Sequence, residues 1–452
     1  MKRTIVFSFL AGMISAGAMA QGDSLWTLQQ CIDRAIEYNL DMKRQELMLQ
    51  SASHDVTQSK MALLPNLNGV LEHELGSGRV LDRGTYEWKN ANVSQGDMGL
   101  QADLTLFNGL QGFNSMKMNR ASYQMSLEDL AAMEDNLIIQ VMTAYLTLLR
   151  NQELVEVAQL NVDVTLNQVE RMERLVEVGN EPRGKLLAVV AQHSQAQLSL
   201  TRAINTREIS RMELMHLLNI TNQEGFEIEQ PELPDPSPGD IQPADSVFQY
   251  ALDHLPQIRS AEYGIQAKER NLAMQRGGRS PRLYARGVYY SNYSDGLVNP
   301  LDPDPMHPTL DYPLSDQIAN NQYKQVSLGI QIPLFNRWQV QTNINKARLG
   351  LQDAEIQYSD AVLQLQKSVQ QYHTEALAAL DNYRSAEEAV ANGDEAYRFA
   401  EERFRVGTGT ALEMQEARNQ LYEATSEMIS SRYVLIFYTK ILDFYTGKEI
   451  AF

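Results

Sequence analysis

Apolar residues recur every seven positions along two stretches of the chain, residues 108–178 and 336–406. In the first stretch Val141, Leu148, Val155, Val162, Val169 and Val176 carry the repeat. Three residues after the first five of these stand Ala144, Asn151, Ala158, Thr165 and Met172, mostly small. In the second, Val369, Ala376, Tyr383, Val390, Tyr397 and Phe404 keep the same step. Their companions are Tyr372, Ala379, Ala386, Gly393 and Ala400. Neither stretch contains proline. A strict seven-residue period predicts long helices packed side by side with a slight left-handed supercoil. At 1.5 Å per residue each helix would run roughly 105 Å. That exceeds the width of an ordinary globular domain.

Before each long helix the period changes from seven to two. Leu67, Leu71 and Leu75 alternate with Asn66, Asn68, Glu72 and Glu74. Met98, Leu100, Ala102, Leu104 and Leu106 alternate with Asp97, Gln101, Asp103 and Thr105. This pattern predicts two strands, at about 66–75 and 97–107, apolar on one face and polar on the other. Such strands suit either a half-buried soluble hairpin or an outer-membrane barrel. The polar, glycine-containing residues 76–96 read as a loop. A helix precedes the strands from residue 25 to 64 and ends at Pro65. After the long helix, the sequence Gly179-Asn180-Glu181-Pro182 breaks the pattern. A return helix covers 183–218, with Val189, Ala196, Ala203, Ser210 and Leu217 at the same step of seven.

The second half repeats this order. Ala35-Ile36-Glu37-Tyr38 matches Ala251-Leu252-Asp253-His254, and Pro65-Asn66-Leu67 matches Pro281-Arg282-Leu283, both 216 residues on. Past the first hairpin loop the spacing becomes 228. Leu106-Phe107-Asn108 matches Leu334-Phe335-Asn336, and Val178-Gly179 matches Val406-Gly407. The difference of 12 is an insertion between Tyr293 and Gln322, rich in Pro and Asp. The chain therefore divides into a first repeat (21–220), a linker (221–243) and a second repeat (244–452). The second repeat carries strands at about 282–291 and 323–334, a long helix at 336–406 and a return helix at 410–443. The linker holds five prolines, six acidic residues and no Lys or Arg.

Residues 1–20 read as a secretory signal peptide. Lys2 and Arg3 precede an apolar core from Ile5 to Ile14, and Ala18-Met19-Ala20 forms the cleavage site. No other run is long and apolar enough to predict a transmembrane helix. The net charge is -18, and removing Lys2 and Arg3 takes it to -20. So acidic a chain argues against nucleic-acid binding and suits a surface that attracts cations. Cys31 is the single cysteine, which excludes a disulfide framework and a cysteine-based metal site. The seven histidines are scattered, with no metal-ligand spacing, no phosphate-binding glycine loop and no catalytic grouping. Neither an enzyme nor a cofactor is expected.

Four strands with one apolar face cannot close a barrel, and an open edge in lipid leaves backbone groups unpaired. Three copies would supply 12 strands, within the range of bacterial barrels. The chain resembles the TolC-type outer membrane efflux proteins. The resemblance rests on Leu64-Pro65-Asn66-Leu67, on Leu106-Phe107-Asn108-Gly109, on Arg405-Val406-Gly407-Thr408-Gly409-Thr410 with Leu412-Glu413 after it, and above all on the duplication. It implies an α+β membrane protein, a homotrimer with a 12-stranded barrel in outer membrane lipid and a long α-helical periplasmic tunnel. It further implies an equatorial collar built partly from about 221–243 and 433–452. The partners it implies are a periplasmic adaptor protein at the tunnel tips and an inner-membrane transporter. Gly179, Gly407 and Gly409 would shape those tips.

Glu413 and Glu416 lie three apart and share a helix face. The resemblance implies that they form acidic rings at a closed periplasmic gate. Relatives often place an arginine two residues after the turn glycine, where this chain has Gly409. Arg183 and Lys185 are the candidate ion-pair partners for Glu413 or Glu416 across a subunit boundary. The competing reading is an envelope coiled-coil protein, structural or adhesive, without a pore.

Overall fold

A computed structural model describes residues 25–81, 86–222, 225–231, 239, 241–448 and 450. The signal peptide and part of the linker lie outside the described residues. Two compact units are built from interleaved segments. The first combines residues up to Asn39 with Leu137–Ile241 and Thr374–Phe452. The second combines Leu40–Asn136 with Gln242–His373.

The second unit holds a four-stranded antiparallel sheet in the order β1-β2-β3-β4. Its strands are β1 (Asn66–Leu81), β2 (Trp88–Phe107), β3 (Arg282–Ser294) and β4 (Tyr323–Gln331). Register shows the duplication directly. Leu67 pairs with Ala102 in the first hairpin, and Leu283, 216 residues on, pairs with Ile330, 228 residues on. The first hairpin is longer than its apolar alternation suggests: Gly76 to Leu81 pair with Trp88 to Val93. This part of the ribbon is polar and glycine-containing, so periodicity does not mark it although its backbone ladder continues. β4 stops at Gln331 rather than 334, and Pro333 has no N–H to extend it. The inserted loop between β3 and β4 contains a short helix, Leu314–Asn320.

Each sheet hairpin leads into a helix of 67 residues, Gln111–Glu177 and Gln339–Arg405, about 100 Å each. The single helix expected over 25–64 is two helices, Leu28–Tyr38 and Leu40–Met61, parted at Asn39 (φ -62°, ψ 134°). The second half breaks in register at Leu255, with Pro256 opening the next helix. The helices are numbered in chain order: α1 (Leu28–Tyr38), α2 (Leu40–Met61), α3 (Gln111–Glu177), α4 (Arg183–Leu217), α5 (Ala244–His254), α6 (Pro256–Gly277), α7 (Leu314–Asn320), α8 (Gln339–Arg405) and α9 (Ala411–Phe444).

In the first unit the heptad positions form the seam. Val141, Leu148, Val162, Val169, Ala158 and Thr165 are buried on α3, and Val189, Ala196 and Ser210 on α4. Asn151 donates to Ser210 Oγ at 2.6 Å inside that seam, so these two polar side chains satisfy one another. On α8 the seam residues Ala376, Ala379 and Ala386 are buried. A Cβ on Gly393 would stand 3.4 Å from the Leu421 backbone. Small residues there set how closely α8 and α9 approach.

Candidate functional site

Paired residues in an antiparallel sheet point to the same side. Leu71, Met98 and Ser291 therefore share a face, as do Leu75 on β1 and Val326, Leu328 and Ile330 on β4. Leu71, Leu75, Val326 and Leu328 are each more than 70% exposed. In water that face would be costly, at about 25 cal/mol per Å². The opposite face is polar: Arg286 Nε reaches Asp103 Oδ1 at 2.7 Å, and Arg282 donates to Thr105 Oγ1 at 3.0 Å. Glu72 and Asp97 stand opposite one another on the same face. No helix is long and apolar enough to cross a membrane among the described residues.

At the far end of the long helices the chain turns twice by the same geometry. Asn180 N–H donates to Leu175 O at 2.9 Å and Gly179 N–H to Val176 O at 3.0 Å. Thr408 N–H donates to Arg403 O at 2.9 Å and Gly407 N–H to Phe404 O at 3.2 Å. Both are Schellman closures. Gly179 sits at φ 74° and Gly407 at φ 80°, a left-handed conformation that a β-carbon opposes. Gly409 has a different requirement. A Cβ there would lie 2.9 Å from Arg403 Cβ and 3.2 Å from the Phe404 backbone nitrogen. Its missing side chain leaves room for the last turn of α8.

The expected acidic residues stand exposed at the start of α9. Glu413 is the third residue of that helix and closes a capping box. Glu413 N–H donates to Thr410 Oγ1 at 3.2 Å, and Thr410 N–H donates back to Glu413 Oε2 at 3.1 Å. Arg403 lies 3.5 Å from the same carboxylate. Glu416 has neither tie. Lys185 forms an ion pair with Glu181 at 2.7 Å. Within one chain Glu413 thus meets Arg403, and neither Arg183 nor Lys185. Sequence reasoning missed Arg403, although a basic residue in the last helical turn beside an acidic helix start was the available signal.

Above this turn, Arg418 on α9 is 5% exposed. It donates from Nη1 to Gln168 Oε1 at 2.8 Å, while Nε has no partner. Burial holds its pKa below the usual arginine value, and burial, then Glu401, pushes the Tyr397 phenol up. Nearby, Val169, Met172 and Val189 form a core against Leu186 and Phe404, so α3, α4 and α8 meet there. Among the described residues no group of His, Cys, Asp or Glu is placed to hold a metal ion.

In sequence the chain is similar to the outer membrane protein TolC of Vibrio cholerae, 21% identical over 93% of this chain and 91% of that protein. It is similar to the outer membrane efflux protein BepC of Brucella suis, 21% identical over 98% of this chain and 89% of that one. The crystal structure of the outer membrane protein VceC from Vibrio cholerae shares the fold, with a TM-score of 0.77 at 16% identity over 93% of this chain and 96% of that chain. The family described as outer membrane efflux protein matches residues 31–219 and 247–436, one segment per repeat. With two hairpins apolar on one face and two helical turns closed alike, the chain belongs to the outer membrane efflux protein family.

Proposed function

We propose that the protein is the passive exit duct of a tripartite export system, assembled as a homotrimer with a 12-stranded barrel in the outer membrane. An inner-membrane transporter supplies the energy through a periplasmic adaptor. The observation that carries this reading is the sheet: an exposed apolar face backed by a polar face that carries Glu72, Asp97, Asp103 and Arg286. That arrangement fits a wall between lipid and a water-filled lumen. At the tips, Val178, Leu187, Val406 and Leu412 expose apolar side chains, which suits docking of an adaptor.

Glu413 and Glu416 form the acidic mouth of the closed tunnel in this reading. Three copies bring six carboxylates together, and such a cluster concentrates cations. Glu416 is the freer member, because Glu413 also caps α9 and faces Arg403. Lys185 is engaged by Glu181 within the chain, so Arg183 is the cation more open to a cross-subunit pair.

The test is the mass of the purified protein in detergent, with recording in a planar lipid bilayer. A trimer that conducts small currents supports the duct. A species that needs no detergent and opens no pore contradicts it and favours an envelope coiled-coil protein.

A further inference from the structure

The strands β3 and β4 are uneven at their hairpin end, and a helix makes up the difference. β4 starts at Tyr323, which pairs with Tyr290, whereas β3 runs on to Ser294. Past Tyr290 the edge that β4 leaves open is met by side chains of α7 and its exit. Asn321 Nδ2 donates to Asn292 O at 2.8 Å, and Ser294 N–H donates to Gln317 Oε1 at 2.8 Å. Gln317 is buried, and its Nε2 donates to Tyr312 O at 2.8 Å.

This helix lies on the apolar side of the sheet. Ser291 shares a face with Leu71 and Met98. It is buried, and its hydroxyl donates to Ile318 O of α7 at 2.7 Å. The bonds from α7 and its exit reach residues 291–294 of β3, which stand in register with Leu71 to Glu74 of β1. Leu71 and Leu75, on either side of that level, are among the most exposed residues of the apolar face. The loop that carries α7, residues 295–322, is turned outward in the same sense. It holds five aspartates and no Lys or Arg. Three of those carboxylates accept backbone N–H groups. Asp295 accepts from Ser94, Asp302 from Asp304, Thr309 and Leu310, and Asp304 from Met306 and His307. Leu301, Met306 and Leu314 are each more than half exposed. Carboxylates turned to the loop's own backbone, with apolar side chains turned out, suit an apolar medium better than water.

We propose that α7 and its loop lie against the outer wall of the barrel, in the outer leaflet, with Leu301, Met306 and Leu314 in contact with lipid acyl chains. The proposal rests on the barrel reading and adds the direction of the loop, out over the wall rather than across the mouth. Continuity favours lipid as the occupant, since the apolar face of Leu71 and Met98 runs directly under α7. The closed edge favours it as well. In water the Asn292 carbonyl and the Ser294 N–H could bond to solvent. At lipid depth they need partners from the protein, and Asn321 and Gln317 supply them. Tyr293, on the same face, meets His73 Nδ1 through its hydroxyl at 2.7 Å. A ring with a polar tip at this level marks the boundary between hydrocarbon and headgroups.

The test uses the full-length protein with Cys31→Ser and one new cysteine at a time. Each cysteine carries an environment-sensitive fluorophore, and the protein is reconstituted in phosphatidylcholine vesicles. Leu314→Cys and Met306→Cys should show blue-shifted emission, lose most of it when the acyl chains carry bromine, and resist aqueous iodide. Leu71→Cys, on the open apolar face, is the reference for lipid contact. If brominated lipid quenches Leu71→Cys while iodide quenches the two loop sites, the loop stands in water, and the proposal is wrong while the barrel holds. Loop sites quenched by neither reagent are covered by a second subunit, which overturns the proposal too. If Leu71→Cys itself ignores brominated lipid, the barrel reading fails. Leu314→Asp should lower the midpoint of thermal unfolding in vesicles by several degrees, and Leu314→Phe should leave it near the wild-type value. Equal midpoints for Leu314→Asp and wild type would contradict lipid contact at α7.

Discussion

At residues 175–180 and 403–408 the chain closes the same helical turn, with a left-handed glycine at the same place and matching backbone bonds. Beyond the turns the two copies differ. The first leads through Pro182, which makes no side-chain cap, into α4, and its nearby ion pair joins Lys185 to Glu181. The second leads through Thr410 and Glu413, a reciprocal cap, into α9, with Arg403 folded over the same carboxylate. Backbone geometry therefore belongs to the repeat, while the pairing of charges differs between its halves. A trimer built from such chains would alternate two kinds of tip.

The contrast breaks most visibly in conduction. Neutralising Glu413 and Glu416 together to Gln should lower the cation current of single channels severalfold, because the proposed mouth would no longer concentrate cations. Lys185→Ala should change it little, since that cation is already paired with Glu181. Equal effects of the two changes in bilayer recordings would erase the difference between the tips.

Next in size are the turns themselves. Gly179→Ala and Gly407→Ala should each cost about 1–2 kcal/mol, the penalty of a left-handed β-carbon. Gly184 is not left-handed and has open space around it. Gly184→Ala should therefore stabilise by about 0.5 kcal/mol. Thermal unfolding of the three variants checks the order. Capping comes third. Thr410→Ala should cost about 1 kcal/mol, whereas Pro182→Ala should fall within about 0.5 kcal/mol of wild type.

A further effect separates the halves by pH. Burial, helped by Glu134, pushes the Asp135 carboxyl up to about 6. Its place in the second half holds Leu363. A carboxyl with a raised folded pKa binds its proton more tightly when folded. Stability should therefore rise as pH falls from about 7 through 6, and Asp135→Asn should remove that dependence. Melting temperatures at pH 7 and pH 5 for both proteins test the sign.

Much of this architecture can be read from the chain alone because its periods are long and repeated. The heptad at 141–176 and its copy at 369–404, and the alternation at 98–106 and 326–334, each mark a face that must be covered. The ribbon from Gly76 to Leu81 escaped that logic because its ladder is held by backbone bonds and no alternation is imposed. The break at Asn39 escaped it too, although Pro256 marks the same break one repeat later. The tip glycines were legible because the turn requires them. Arg418 was not, since its partner Gln168 comes from a separate helix and no spacing connects them, and Arg403 was marked only by its place in the last turn of α8 ahead of the acidic start of α9.

Whether the second tip forms an acidic mouth is decided by the reversal potential of single channels under a potassium chloride gradient. Wild type should show a clear preference for cations, and Glu413→Gln with Glu416→Gln should bring the potential close to zero. An unchanged reversal potential in the double variant would contradict an acidic mouth at these residues.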